Sequence, residues 1–207
     1  MANQARVGAG TLVLDPFCGS GSLLLSSAHF GAATVGLDIS EAELSGGGVE
    51  RNFAQRGLPP PELLLTADAA GLVTGAVLPA ALGSRYANFD AIVTDPPYGI
   101  MEGLGALYVP LPERVRLLLQ IAAARLKCGG RLVFLLPVPA NTALPPLPPM
   151  DCLRLEATSR QPISMRMHRL LVTMVKVSPP SDADLRPVAV AADAPDAAAA
   201  TAAAAAA

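Results

Sequence analysis

Apolar residues along this chain fall in short blocks that end on an acidic or turn residue, and the stretches between several blocks carry helical spacing. Thr11-Leu12-Val13-Leu14-Asp15 predicts a first strand, followed by a helix from Ser20 to Phe30 that stops at Gly31. Thr34-Val35-Gly36-Leu37-Asp38 predicts a second strand, and Glu41 to Arg56 a helix weakened by Gly46, Gly47 and Gly48. Leu63-Leu64-Leu65-Thr66 and Phe89-Asp90-Ala91-Ile92-Val93-Thr94-Asp95 read as strands three and four. Val115, Leu118, Leu119, Ala122 and Leu126 mark a helix over Leu111 to Leu126, closed by Gly129-Gly130, and Arg131 to Leu136 reads as strand five. Leu153 to Ala157 and Leu170 to Val177 then follow with no helix between them, which predicts a closing antiparallel pair. Strands that alternate with helices imply an α/β fold: a doubly wound, mostly parallel sheet covered on both faces.

Two segments break the pattern. Prolines crowd Ala140 to Met150, which predicts a loop because proline donates no N–H to a helix or sheet. From Ala189 to Ala207, 14 of 19 residues are alanine. Such a stretch has helix propensity but no side chains with which to dock. The expected organisation is therefore one domain over residues 1–177 and a Pro/Ala-rich low-complexity tail over 178–207.

Composition narrows the class. Hydrophobic residues make up 52% of the 207 and charged residues 15%, so the chain can bury a sizeable core and is not wholesale disordered. Aromatics are only 4%, so that core is aliphatic. The formal net charge of −2 excludes nucleic-acid binding through a global positive field but not through a local basic patch. No uncharged apolar run is long enough for a membrane span, and the first residues lack the pattern of a signal peptide, so a cytoplasmic protein without membrane partners is expected. Cys18, Cys128 and Cys152 are scattered and suggest neither a disulfide framework nor a metal site.

Four motifs carry candidate chemistry. Asp15-Pro16-Phe17-Cys18-Gly19-Ser20-Gly21-Ser22-Leu23-Leu24 joins strand one to helix one, and its glycines let the backbone approach a ligand at the carboxyl end of the sheet. Leu24 stands where a dinucleotide site needs its third glycine, and Asp15 would repel a pyrophosphate but suits a cationic or amino-bearing ligand. Asp38, at the end of strand two, can accept the hydroxyls of a ribose or cap the following helix, a role for which Ser40 competes. Asp68, after strand three, can accept from an adenine amine or serve as a cap. Thr94-Asp95-Pro96-Pro97-Tyr98-Gly99 follows an apolar strand. Its prolines remove N–H donors, which leaves carbonyls and the Asp95 carboxylate as an acceptor-only cluster for an exocyclic amine. Tyr98 offers a face on which a base can stack.

These motifs together resemble the S-adenosylmethionine-dependent amino-methyltransferases of nucleic acids. More narrowly, Met1 to Ala5, Asp15 to Leu24, Ala28 to Ala32, Val93 to Ile100 and Gly129 to Phe134 resemble the catalytic domain of the eukaryotic tRNA (guanosine-10 N2)-methyltransferases. Ser159-Arg160-Gln161 and Arg169-Leu170-Leu171 fit the same family. The resemblance implies a Rossmann-like class I methyltransferase fold with S-adenosyl-L-methionine as cofactor and tRNA as substrate. It implies that Asp15, Phe17, Gly19 and Gly21 hold the amino-acid part of the cofactor, Asp38 with Ile39 its ribose side and Asp68 with Ala69 its adenine. Asp95, Pro96, Pro97 and Tyr98 would then orient the guanine amine, with no metal involved. The family also carries an RNA-binding region before the catalytic domain, where this chain begins almost at the first motif, and works with a small zinc-binding activator protein. DNA adenine-N6 or cytosine-N4 methylation, and a non-catalytic cofactor-binding subunit, remain open alternatives. So do two readings of the basic residues between Asp151 and Lys176, as phosphate contacts or as a solvated hairpin face.

Overall fold

The computed structural model describes residues 1–78, 84–97, 111–140 and 142–186. Its strands are β1 (Leu12–Asp15), β2 (Ala33–Asp38), β3 (Leu63–Thr66), β4 (Phe89–Thr94), β5 (Leu126–Pro139), β6 (Leu153–Pro162) and β7 (Met167–Lys176). Its helices are α1 (Ser22–His29), α2 (Glu41–Leu44), α3 (Gly48–Gln55), α4 (Gly71–Thr74) and α5 (Leu111–Arg125). The strands form one sheet in the order β3-β2-β1-β4-β5-β7-β6. The first five run parallel, and β7 lies antiparallel between β5 and β6, so the expected parallel sheet with its closing pair is borne out.

Both sheet faces are covered, which explains why the central strands read as nearly unbroken apolar runs. Leu14, Leu37, Ile92, Phe134 and Val172 point to one face, where Leu118, Leu119 and Ala122 of α5 pack on them. Val13, Ala91, Val93 and Val133 point to the other, against Leu23 of α1 and the N-terminal Ala5. Leu24 and Ala28 of α1 join Val49 and Phe53 of α3 in a third cluster. No helix among the described residues is long and apolar enough to cross a membrane.

The structure departs from the sequence reading in several places. The helix expected over Glu41 to Arg56 is two helices, split where Gly46 and Gly47 take φ of +86° and +66°. Those angles cost glycine little and terminate a helix. α5 ends at Arg125, short of Gly129-Gly130, and those glycines lie in an irregular start of β5 where its pairing with β4 shifts register. β5, β6 and β7 all run longer at the end toward the β6–β7 turn, because they zip together beyond the core, where strand pairing rather than an apolar pattern defines them. Lys176 does not face a phosphate: it is buried, and its Nζ donates to the carbonyls of Ala123 (2.6 Å) and Leu126 (2.7 Å), tying off the end of α5. The packed body also continues past the boundary expected at 177. Asp184 is buried and accepts from Ser181 N–H (2.8 Å) and Asp151 N–H (3.2 Å), while Leu185 packs on the core. Residues 187–207, most of the expected tail, lie outside the described residues.

Candidate active site

β1 and β4 are neighbours in register, Val13 opposite Ala91 and Leu14 opposite Ile92, so the residues that end them meet at the carboxyl edge of the sheet. Thr94 is fully buried there, and its Oγ1 donates to Asp15 Oδ1 at 2.7 Å. The Phe17 N–H donates to the same oxygen at 3.1 Å. Among the described residues nothing donates to Asp15 Oδ2, although the side chain is buried. Burial dominates the Asp15 carboxyl and pushes its pKa from 3.8 up to about 7. The Thr94 and Phe17 bonds pull it down less than burial raises it, and Asp38 and Asp95 add repulsion.

The glycine turn is tied to the end of β2. The Cys18 N–H donates to the Leu37 carbonyl at 2.7 Å, and the Gly19 N–H to Asp38 Oδ2 at 2.8 Å. Asp38 Oδ1 accepts from the Ser40 N–H at 2.9 Å. Ser40 itself caps α2 without a side-chain bond, so Asp38 braces the turn rather than capping a helix. Each of its oxygens keeps a lone pair for a further donor. Beside it, Ile39 is 71% exposed, an apolar side chain held open at the sheet edge. Gly21, with φ +76°, starts α1, and a Cβ there would stand 2.7 Å from Val49 Cγ1. Only glycine lets α1 begin this close to α3. The Cys18 thiol, pushed up to about 12 chiefly by burial, stays protonated and acts as packing.

Asp68 follows β3 and is exposed; its Oδ1 accepts from the Ala70 N–H at 2.9 Å, a local turn that fixes the carboxylate at the sheet edge. Ala69 beside it is buried. Asp95 and Pro97 are exposed and Pro96 is buried, directly after β4. Tyr98 lies outside the described residues. Partial desolvation of this 41% exposed side chain raises the Asp95 carboxyl above its ordinary range, and the Arg169 guanidinium, with Nη1 3.7 Å from Oδ2, opposes that rise.

The sheet thus brings Asp15, Phe17, Gly19, Gly21, Asp38, Ile39, Asp68, Ala69, Asp95, Pro96 and Pro97 to one edge. Two participants were not singled out from sequence. Thr94 is the residue that links the glycine turn to Asp95, and its only sequence signal was its place before the motif. Arg169 was one basic residue among several, and its pairing with Asp95 follows from the position of β7 beside β5.

Seven strands in this order, five parallel with an antiparallel pair at one end and helices on both faces, make a Rossmann-like class I methyltransferase fold. No family model matches the chain. It is similar to TrmN from Thermus thermophilus, whose crystal structure superposes with a TM-score of 0.60 at 25% identity, covering 84% of this chain and 46% of that one. In sequence it is a homologue of proteins named tRNA (guanine(10)-N(2))-methyltransferase TRMT11. The Dictyostelium discoideum protein is 36% identical over 204 residues, covering 85% of this chain and 39% of the relative. The Homo sapiens protein is 34% identical over 213 residues, covering 86% and 45%. The chain therefore spans less than half the length of these relatives.

Proposed function

We propose that this chain carries out the methyl transfer of an S-adenosylmethionine-dependent methyltransferase that acts on guanine N2, with guanosine 10 of tRNA as the acceptor. The observation that carries this reading is the 2.7 Å bond from Thr94 to Asp15, which ties the glycine turn to the end of β4 that leads into Asp95-Pro96-Pro97. The relatives' names narrow it to the tRNA guanine.

The residues fit the cofactor. Asp15 presents a buried oxygen with no donor among the described residues, which suits an ammonium group. Phe17, Gly19 and Gly21 shape the turn around that group. Asp38 keeps lone pairs for ribose hydroxyls, the exposed Ile39 offers an apolar face to adenine, and Asp68 with Ala69 bounds the adenine on the β3 side. Three carboxylates near one another (Asp15, Asp38 and Asp95) make the edge electronegative, as a cationic ligand requires. Bound there, the cofactor supplies an electrophilic methyl group.

The protein's own contribution is positioning. A guanine amine is a weak nucleophile because its lone pair is conjugated with the ring. Asp95 and the Pro96 carbonyl accept from its two N–H groups and aim the lone pair at the methyl carbon; Pro97 stiffens the loop, and the sequence supplies in Tyr98 an aromatic ring of the kind on which a base stacks. Orientation of this kind is worth effective molarities of about 10⁵ M or more. The base must leave its stack to reach the site, at a cost of a few kcal/mol.

The deciding experiment incubates the chain with methyl-labelled cofactor and either tRNA or duplex DNA. The reading expects label in guanine N2 of tRNA, loss of transfer in Asp95→Ala, and cofactor affinity left largely intact in that variant. Label in DNA adenine or cytosine would replace tRNA with DNA as substrate, and cofactor binding without transfer to either would leave a cofactor-binding subunit. A small zinc-binding activator protein, expected by family resemblance, would find in β3 an edge strand of the sheet among the described residues. The cytoplasm is the compartment this function assumes.

A further inference from the structure

The sheet is not level at its carboxyl edge. Thr94, the last residue of β4, pairs with Phe134, yet β5 continues to Pro139, which pairs with Met167 at the start of β7. Five residues at about 3.3 Å each put the ends of β5, β7 and β6 roughly 16 Å beyond the level of Thr94. They form a wing standing beside Asp95, and Arg169, midway up it opposite Pro137, reaches back to pair with that carboxylate.

The wing's charge is opposite to that of the edge it flanks. Residues 159–171 contain Arg160, Arg166, His168 and Arg169 and no Asp or Glu. Arg160 and Arg166 are exposed and have no acidic partner among the described residues; the Arg160 guanidinium is held on the wing by the Thr142 carbonyl (2.5 Å) and the His168 ring (Nδ1 at 3.2 Å), which leaves its remaining N–H groups facing outward. At the tip, Met165 is 98% and Ile163 53% exposed. The turn that displays them is well braced. Ile163 and Ser164 N–H donate to the Met167 carbonyl at 3.1 and 3.0 Å, and Ser164 Oγ accepts from the N–H groups of Arg166 (3.2 Å) and Met167 (3.1 Å). The Ala140 N–H donates to the Arg166 carbonyl at 2.8 Å and anchors the turn to β5. Two apolar side chains held in solvent on a rigid turn, among arginines and beside an amine-accepting site, match the apolar wedges with which proteins occupy unstacked base steps.

We propose that this wing grips the RNA strand around the acceptor nucleotide: Arg160 and Arg166 take backbone phosphates, and Ile163 and Met165 fill the stack that the extruded base leaves. The proposal rests on the nucleic-acid reading of the site. It explains how a chain of net charge −2 holds a polyanion: the acidic edge serves the cofactor and the basic wing serves the strand.

The test compares the 207-residue chain with Arg166→Glu, the double variant Ile163→Ala/Met165→Ala, and Arg154→Glu. Arg154 carries the same charge at the opposite end of β6. Binding of a fluorescein-labelled tRNA is followed by anisotropy across a salt series. Arg166→Glu is expected to weaken binding several-fold and to reduce the log–log salt slope by about 0.7–0.9, one phosphate contact. Arg154→Glu is expected to change neither. The double variant is expected to keep the salt slope but lose fluorescence from a 2-aminopurine at the acceptor position, which brightens when unstacked. Unchanged cofactor affinity in every variant shows that the fold survives. Equal effects of Arg166→Glu and Arg154→Glu, or no effect of either, would overturn the proposal. Absence of methyl transfer by the wild-type chain, with wing-dependent RNA binding intact, would instead remove the functional reading and leave the gripping surface standing.

Discussion

Asp15→Asn separates what the site costs from what it does. The Asp15 carboxyl is buried, and its pKa of about 7 lies some three units above its ordinary 3.8. One unit corresponds to about 1.4 kcal/mol, so ionising Asp15 in the folded chain above pH 7 costs on the order of 4 kcal/mol relative to the unfolded chain. The sign follows from the raised value. The group favours the fold most below pH 4, and that contribution is lost as pH climbs to about 7. Asparagine keeps an oxygen that can accept from Thr94 and Phe17 and carries no charge, so it avoids the penalty. Its amide nitrogen takes the place of an oxygen that already lacks a donor among the described residues, so the unsatisfied position is exchanged rather than created. In urea titrations without cofactor, Asp15→Asn should be more stable than wild type by about 2–4 kcal/mol at pH 8, with the gap shrinking to about 1 kcal/mol or less at pH 4.5. Saturating S-adenosylmethionine should reverse the order at pH 8, because it stabilises only a chain that binds it. A gap that stays constant from pH 4.5 to 8, or a variant destabilised at both, would refute the reasoning.

Other consequences are sharper in sign than in size. Gly21→Ala combines a left-handed φ with a Cβ 2.7 Å from Val49 Cγ1, so it should lose about 2–4 kcal/mol of stability by denaturant titration and weaken cofactor binding measured by calorimetry. Arg169→Met removes the charge that holds the Asp95 pKa down, so the acidic limb of the kcat profile should move to higher pH while the alkaline plateau survives. Arg169→Lys should restore the limb, and a uniform loss of kcat with no displacement would show that Arg169 acts otherwise.

The elements that sequence revealed are those in which a local rule acts. Unbroken burial over Val13, Leu14, Ala91 and Ile92 follows from strands covered on both faces, and the spacing of Val115, Leu118, Leu119 and Ala122 follows from one buried helix stripe. The acidic residues that end β1 and β2, and those that follow β3 and β4, were legible because each stands beside a turn signal. Element ends were less so: β6 extends to Pro162 over residues that are mostly exposed, and hydropathy carries no trace of pairing that rests on backbone hydrogen bonds.

By itself, then, the sequence determined the order of elements and the chemical inventory of the site: glycines at the turn, four aspartates and an amine-accepting loop. The tertiary structure decided how that inventory is wired. Thr94 and Asp15 lie 79 residues apart and bond because β4 lies beside β1. Asp38 braces Gly19, Lys176 closes α5, and Arg169 faces Asp95 for the same reason: strand order and register set each distance, and no short-range pattern encodes them.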